Sequence, residues 1–143
     1  MTISMEPVPS PWHQPSTDNC STHLPLSGCL RGAAAARRHV AEALGDWDVA
    51  EPVIEGALLV TSELVTNAER HTPDGPIELW VALQGTSVLV AVRDGRRTPL
   101  PPPRTAADDE EDGRGLQIIR ALADSFGCSP AHAGKIVWAW ITG

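Results

Sequence analysis

The alternation of apolar and polar residues divides the middle of the chain into two helices. Residues 29–44 are rich in Ala, Arg, Val and Leu and favour a helix that ends near Gly45. A second helix is predicted from about Ala50 to Arg70, with Asp48 as its N-cap and a break at residues 72–76. One stripe of this second helix should pack on a sheet, namely Ile54, Ala57, Thr61, Leu64, Val65 and Ala68.

Short apolar runs predict strands on either side of a third helix. Residues 77–83 and 88–93 are separated by a four-residue hairpin signal, residues 84–87. Residues 135–141 predict a last strand, and residues 23–26 a short edge strand, where a proline is tolerated. The third helix should begin after Gly115 and end at Gly127, with an apolar face of Leu116, Ile119, Ala123 and Phe126.

This order of elements predicts an α/β fold of two layers. Helices should cover one face of a mixed, mainly antiparallel sheet. Residues 1–22, rich in Pro, Ser and Thr, are interpreted as a mobile tail, and residues 23–143 as a single domain. Within that domain, residues 96–114 combine prolines with an acidic run and are typical of a lid.

Composition narrows the classes of function. The net charge is -7 and no basic cluster exceeds a pair of arginines, which disfavours binding to a nucleic-acid backbone. Three distant cysteines, Cys20, Cys29 and Cys128, fit free thiols in a reducing compartment. The N-terminus lacks a secretory signal and no apolar run is long enough to span a bilayer, so we expect a soluble, cytoplasmic protein without a membrane partner.

The second predicted helix carries candidate chemistry. Glu63, Asn67 and Arg70 should share one face, because successive side chains turn by about 100° along a helix. The side-chain oxygen of Asn67 suits Mg²⁺, and a carboxylate one turn earlier can orient or deprotonate a hydroxyl that attacks a phosphoryl group. Leu59 and Val60 beside Glu63 suggest the floor of a pocket. Taken alone, the pattern fits an ordinary surface helix better.

Two further signals follow along the chain. Asp94 and Gly95 come directly after an apolar strand, where the carboxylate can accept a hydrogen bond from an adenine amino group. Residues 113–115, Gly-Arg-Gly, open a helix, and its free N–H groups suit phosphate oxygens. Taken alone, Asp94 and Gly95 fit a plain turn at the end of a strand, and residues 113–115 fit a flexible loop. The information lies in the order of these two signals and the helix that carries Glu63 and Asn67.

These motifs resemble those of the Bergerat-fold ATPases and kinases, the superfamily that includes histidine-kinase catalytic domains. SELVTNAERH, residues 62–71, is similar to the N-box of that superfamily; VAVRDG, residues 90–95, and EDGRGLQIIRALAD, residues 111–124, are similar to its glycine boxes. The helix before the N-box, the short length and the closing GKIVWAW, residues 134–140, look like the anti-sigma-factor serine/threonine kinases.

The resemblance implies ATP and Mg²⁺ as cofactors and gives each matching residue a role. Glu63 would be the catalytic carboxylate and Asn67 the metal ligand. Asp94, with Gly95, would contact adenine, and Arg70 and His71 would support the pocket. The phosphates would meet the start of the third helix, residues Gly113, Arg114, Gly115 and Leu116. Such proteins bind a sigma factor, phosphorylate a Ser or Thr of an anti-anti-sigma (STAS-type) partner, and often form homodimers.

Departures from the family pattern leave two functions open. Arg96 stands where a glycine is usual, two residues after the Asp, and the prolines of residues 99–103 stiffen the lid. The alternative to a kinase is therefore a non-catalytic switch that binds nucleotide and sequesters its partner. A histidine-kinase half would need an upstream phosphoacceptor helix pair, which residues 1–28 are too short to provide. Trp138 and Trp140 should share a face and serve core or dimer packing, and Lys135 should be solvated.

Overall fold

The fold is a five-stranded sheet with two long helices on one face. The computed structural model describes residues 20–26, 32–71, 76–95, 117–131 and 134–142. The elements in chain order are β1 Cys20–Pro25, α1 Gly32–Asp46, α2 Glu51–His71, β2 Ile77–Gln84, β3 Ser87–Asp94, β4 Ser125–Ala131 and β5 Gly134–Thr142. The strands lie in the order β1-β2-β3-β5-β4. The predicted α/β sandwich is confirmed, and every strand pair in the described sheet is antiparallel.

The hairpin of β2 and β3 forms the centre of the sheet. Its turn lies between Gln84 and Ser87, as the sequence predicts, and Gly85 has a φ of 62°. A side chain at this φ would be strained, so glycine suits the turn. Alternate residues of the hairpin point to the helices, and Leu79, Val81, Val90 and Val92 are buried there. This face and the two helices enclose the main core.

Helix α1 packs through a single stripe and ends in a capped turn. Ala36, Val40 and Leu44 follow one another at four-residue spacing and are fully buried. The N–H of Val49 donates to the carbonyl of Leu44, and that of Asp48 to the carbonyl of Gly45, with Asp48 at a φ of 56°. These bonds form a Schellman cap. Asp48 therefore belongs to the C-terminal cap of α1. The prediction that it is the N-cap of α2 is wrong.

Helix α2 lies on the sheet as predicted. The six residues of its predicted stripe are all buried, and the N–H groups of Val53 and Ile54 donate to the carbonyl of Ala50 at its start. The interpretation of Leu59 and Val60 as a pocket floor is wrong for Val60, which is fully buried in the main core. Leu59 is 52% exposed.

The region after residue 116 differs most from the prediction. Residues 117–122 are helical, but Phe126 and Gly127, expected at the end of this helix, lie in strand β4. β4 pairs with β5 at the sheet edge, where Phe126 faces Ala139 and packs into the main core. The sequence SFGCSPA has weak strand propensity, and Phe126 happens to fall at helical spacing from Ile119. The pairing with β5 decides the conformation.

Strand β1 begins earlier than the sequence predicts. Cys20 already pairs with Leu83, so residues 20–22 belong to the sheet and not to the predicted tail. The side chain of Thr22 lies 3.1 Å from His39 Nε2 and joins the edge strand to α1. The rest of the tail, residues 1–19, and the whole predicted lid lie outside the described residues. In the described part of the chain, no helix is long and apolar enough to cross a bilayer.

The face of the sheet that points away from the helices carries a second apolar cluster. Trp138 and Trp140 share this face, as their alternation predicts, and Ile136 lies beside them. Their neighbours on β2 and β3 are fully buried, namely Ala82, Leu89 and Ala91. We define the tryptophan face as this cluster together with Trp80, which pairs with Ala91 in the register of β2 and β3.

Candidate nucleotide-binding site

The polar side of α2 presents the predicted carboxylate and amide. Glu63 and Asn67 are half-buried and one helical turn apart, and Arg70 is exposed near the end of the helix. The opposite side of this stretch is anchored by Leu64, Val65 and Ala68 in the core. Because the core fixes the rotation of the helix, Glu63 and Asn67 are held on a common face.

The side-chain oxygen of Asn67 is a buried hydrogen-bond acceptor. This atom, Oδ1, is inaccessible to solvent and has no hydrogen-bond partner among the described residues. A buried carbonyl oxygen without a partner costs about 1–3 kcal/mol. Such atoms are rare in folded proteins and ask for an explanation. A neutral, hard oxygen of this kind is a good ligand for Mg²⁺, so the residue present fits the ion that the fold would hold.

Asp94 is a buried carboxylate at the end of the central strand β3. It is the last residue of β3, its side chain points to the helical layer, and it is 2% exposed. Lys135, opposite Asp94 on the neighbouring strand β5, forms an ion pair with it, with Nζ 3.6 Å from Asp94 Oδ2. The side chain of Lys135 is 13% exposed, so the prediction of a solvated lysine is wrong. A buried carboxylate destabilises the folded state unless it is paired, and Lys135 is a cation that pairs with Asp94.

The backbone after Asp94 is closely packed. The N–H of Gly95 donates to the carbonyl of Pro76 at 2.9 Å, and a Cβ on Gly95 would lie 2.6 Å from Pro76 Cδ. A Cβ on Gly134 would overlap the carbonyl oxygen of Asp94. Packing alone therefore requires glycine at both positions. At Gly95 this requirement holds whether or not an adenine base approaches the backbone. These contacts fix the backbone that carries Asp94.

Asn67 and Asp94 lie toward the same end of the sheet. Gly56, early in α2, lies over Ile141, whose partner on β3 is Val88. From there Asn67 is 11 residues on, about 16 Å along the helix. Asp94 is six residues beyond Val88, about 20 Å along the strand. α2 also leads back to β2, whose first residue, Ile77, pairs with Asp94.

Several predicted site residues cannot be placed against this geometry. His71 ends α2, and its side chain is not described. The phosphate-binding candidates Gly113, Arg114, Gly115 and Leu116 lie outside the described residues, as does Arg96. The candidate site residues that the structure describes are Glu63 and Asn67 on α2 and Asp94 with Gly95 at the end of β3, and they stay a prediction as one site.

The sequence interpretation missed two neighbours of Asp94. Lys135 was overlooked as its partner, although the register of β3 and β5 would have shown it. Cys128 on β4 is buried, and burial raises the pKa of its thiol, with Asp94 adding to the rise and Lys135 opposing it. Because β4 was predicted as helix and loop, nothing in the sequence placed this thiol near Asp94. The thiol stays protonated at neutral pH and is a poor nucleophile.

A comparison of the sequence with known protein families agrees with this fold. A family model described as a histidine kinase-like ATPase domain matches residues 28–141. The chain belongs to this family. The match covers most of the chain, from the segment before α1 to the penultimate residue of β5. Membership supports ATP binding and, in general terms, ATP-dependent phosphoryl transfer. A search of curated proteins found no match.

Proposed function

We propose that this histidine kinase-like ATPase domain binds ATP with Mg²⁺ and phosphorylates a Ser or Thr of a partner protein. The observation that carries the proposal is the buried Oδ1 of Asn67, which has no hydrogen-bond partner among the described residues. Asn67 follows Glu63 by one helical turn and lies toward the Asp94 end of the sheet. A surface helix without a ligand would not bury that oxygen without a partner.

The described residues divide the work of such a reaction. Asp94 accepts a hydrogen bond from the amino group of adenine, and Gly95 continues the adjacent backbone. Asn67 would hold the Mg²⁺ ion, which would neutralise the charge of the phosphates. Glu63, on the same face, orients the hydroxyl of the partner and accepts its proton as the γ-phosphoryl group is transferred.

The phosphates need further donors. Arg70 lies exposed one turn beyond Asn67 and can reach toward the triphosphate, with His71 directly after it. The N–H groups of the segment Gly113, Arg114, Gly115 and Leu116 complete the cradle in this proposal, because glycines leave the backbone open to phosphate oxygens.

The proposed partners follow from the resemblance of SELVTNAERH to the anti-sigma kinases. The protein sequesters a sigma factor and phosphorylates an anti-anti-sigma (STAS-type) protein, which controls release of the sigma factor. We place it in the cytoplasm, as a homodimer that contacts neither nucleic acid nor membrane directly. The net charge of -7 agrees with protein partners, because a nucleic-acid backbone would repel it.

Transfer of labelled γ-phosphate to candidate STAS-type partners tests the kinase. Wild type should label one partner, and Glu63→Gln should abolish labelling while ATP binding is largely kept. The neighbouring Ser62→Ala is the matched control, because Ser62 Oγ bonds only to the carbonyl of Leu58 within the helix in the described structure. Bound ATP without label on any partner would contradict the kinase function.

The second candidate is a non-catalytic switch in which nucleotide alone controls partner binding. Two observations favour it: Arg96 follows Gly95 where the superfamily usually has a glycine, and Lys135 already engages Asp94. In a pull-down of the partner, a switch would respond to ATP and to a non-hydrolysable ATP analogue alike. Glu63→Gln would then leave capture of the partner unchanged, and wild type would transfer no label.

A further inference from the structure

Lys135 is the only lysine in the sequence, and it lies next to the proposed adenine contact. It is the second residue of β5 and pairs in the register with Asp94, the last residue of β3. The next residue, Ile136, belongs to the tryptophan face, so the side chain of Lys135 points to the helical layer, on the same side as that of Asp94. Its side chain is 13% exposed, whereas lysines are mostly exposed to solvent.

The ion pair with Asp94 does not use the hydrogen-bond donors of Lys135. Nζ lies 3.6 Å from Asp94 Oδ2, which is close enough for an ion pair but longer than a hydrogen bond. An ammonium group carries three N–H donors. Within the described part of the chain, Nζ forms no hydrogen bond. Because a largely buried donor without an acceptor destabilises the protein, an acceptor supplied by a ligand would stabilise this group.

Adenine carries such an acceptor next to its amino group. The amino group donates hydrogen bonds, and the ring nitrogens N1 and N7, one on each side of it, accept them. Asp94 and Lys135 present an acceptor and a donor side by side, which is complementary to this edge of the base. Since the side chain of Asp94 is 2% exposed and that of Lys135 is 13% exposed, a base that reaches the carboxylate also meets the ammonium group.

We propose that Lys135 recognises the adenine base, with Nζ donating a hydrogen bond to the ring nitrogen, N1 or N7, beside the amino group that Asp94 binds. The inference rests on the proposed ATP site and names a further residue that contacts the base there. It holds for the kinase and for the non-catalytic switch alike, because both bind the nucleotide. In the competing account, Lys135 only offsets the charge of Asp94.

Calorimetric titration with ATP analogues that lack one ring nitrogen tests this hydrogen bond. Wild type should bind either 1-deaza-ATP or 7-deaza-ATP about tenfold or more weakly than ATP, because a hydrogen bond to a charged donor is lost. The analogue with the weaker binding identifies the nitrogen. 3-deaza-ATP is the control ligand, since N3 lies on the far side of the ring from the amino group. In Lys135→Met, ATP and the affected analogue should bind with equal affinity.

The ratio of the two affinities separates recognition of the base from a structural role. A loss of stability or of charge in Lys135→Met would weaken the binding of ATP and of every analogue alike, and the wild-type ratio would remain. Arg93→Met is the matched control, because it also removes one positive charge, next to Asp94 in the chain but paired with Glu78 on the other face of the sheet. This variant should keep the wild-type ratio.

Nuclear magnetic resonance gives a second measurement on the wild-type chain alone. With carbon-13 lysine, the protein has a single lysine ε-methylene signal, which belongs to Lys135. ATP should shift this signal, and the analogue that lacks the recognised nitrogen should shift it less. This comparison decides the question even if Lys135→Met folds poorly.

Three results would overturn the proposal. The first is equal affinity of wild type for ATP and for both 1-deaza-ATP and 7-deaza-ATP. The second is the same affinity ratio in Lys135→Met as in wild type, and the third is the same lysine shift with ATP and with both analogues. If the folded wild type bound no ATP at all, the proposed function itself would fail, so the two failures are distinguishable.

Discussion

Lys135 Nζ lies 3.6 Å from Asp94 Oδ2 across strands β5 and β3, and both side chains are largely buried. This pair connects the proposed adenine contact to the stability of the sheet. The lysine lies beside a carboxylate that is buried in the helical layer and offsets its charge. It also stands beside the group with which adenine would have to bond.

Replacing Lys135 should separate these two effects. Lys135→Met leaves the Asp94 carboxylate buried without this cation, so we expect the free energy of unfolding to fall by about 1–3 kcal/mol. Urea denaturation of the variant measures it. Arg93→Met is the matched control, because Arg93 pairs with Glu78 on the other face, where their side chains are 33% and 30% exposed. Such a pair contributes at most about 1 kcal/mol. Equal losses in both variants would show that the buried pair is not special.

The fold was largely predictable because its strongest signals are local. The apolar stripe of α2 and the hairpin around Gly85 follow from periodicity and turn chemistry, and both are confirmed. β4 could not be predicted, since its strand conformation comes from pairing with β5 and not from its own propensity. Asp48 was misread because an aspartate suits both an N-cap and a left-handed C-terminal cap, and only the hydrogen bonds distinguish them.

The site was predictable only as residue types in order. The sequence gives Glu63, Asn67 and Asp94 their positions on a helix and at a strand end, but it does not show that Asn67 Oδ1 is buried or that Lys135 engages Asp94. Those facts depend on how α2 is rotated against the sheet and on the register of β5. The roles of Gly113 to Leu116 stay predictions, because these residues lie outside the described part of the chain.

Two glycines should respond in opposite ways to alanine. At Gly134 the new Cβ would meet the Asp94 carbonyl oxygen, so the strands must separate, and we expect a loss of about 1–3 kcal/mol. At Gly45, inside α1, a Cβ meets nothing within 4 Å. Gly45→Ala should stabilise the protein by about 0.5–1 kcal/mol, because alanine loses less entropy in a helix. Thermal unfolding of the two variants compares them, and a neutral Gly134→Ala would refute the close approach of these strands.

The Cys128 thiol should make stability depend on pH in the alkaline range. Burial raises its pKa above the ordinary value of 9.0, so the folded state holds the thiol proton more tightly than the unfolded state does. Stability is then complete below pH 9.0 and falls as the pH rises toward the higher folded pKa. Cys128→Val removes this titration.

Denaturation curves of wild type and Cys128→Val, recorded at increasing pH, give the difference in unfolding free energy. That difference should shift in favour of the variant above pH 9.0. Cys20, which is exposed, is the internal control for reactivity: iodoacetamide should modify it faster than Cys128, as peptide mass spectrometry can show. A difference independent of pH together with equal alkylation of both thiols would contradict the burial argument.

The central claim, that Asn67 binds Mg²⁺ at an ATP site, is tested most directly by calorimetric titration of ATP with and without Mg²⁺. Wild type should bind ATP, and Mg²⁺ should tighten binding. In Asn67→Ala, Mg²⁺ should no longer tighten ATP binding, a loss of affinity of about tenfold or more. Even residues that only hydrogen-bond to a metal ligand contribute this much to metal affinity. Its stability should not fall, since Oδ1 has no partner among the described residues, and Thr66→Ala, at the exposed neighbouring position, should behave as wild type. ATP binding with the same dependence on Mg²⁺ in Asn67→Ala, or no ATP binding by the folded wild type, would contradict the account.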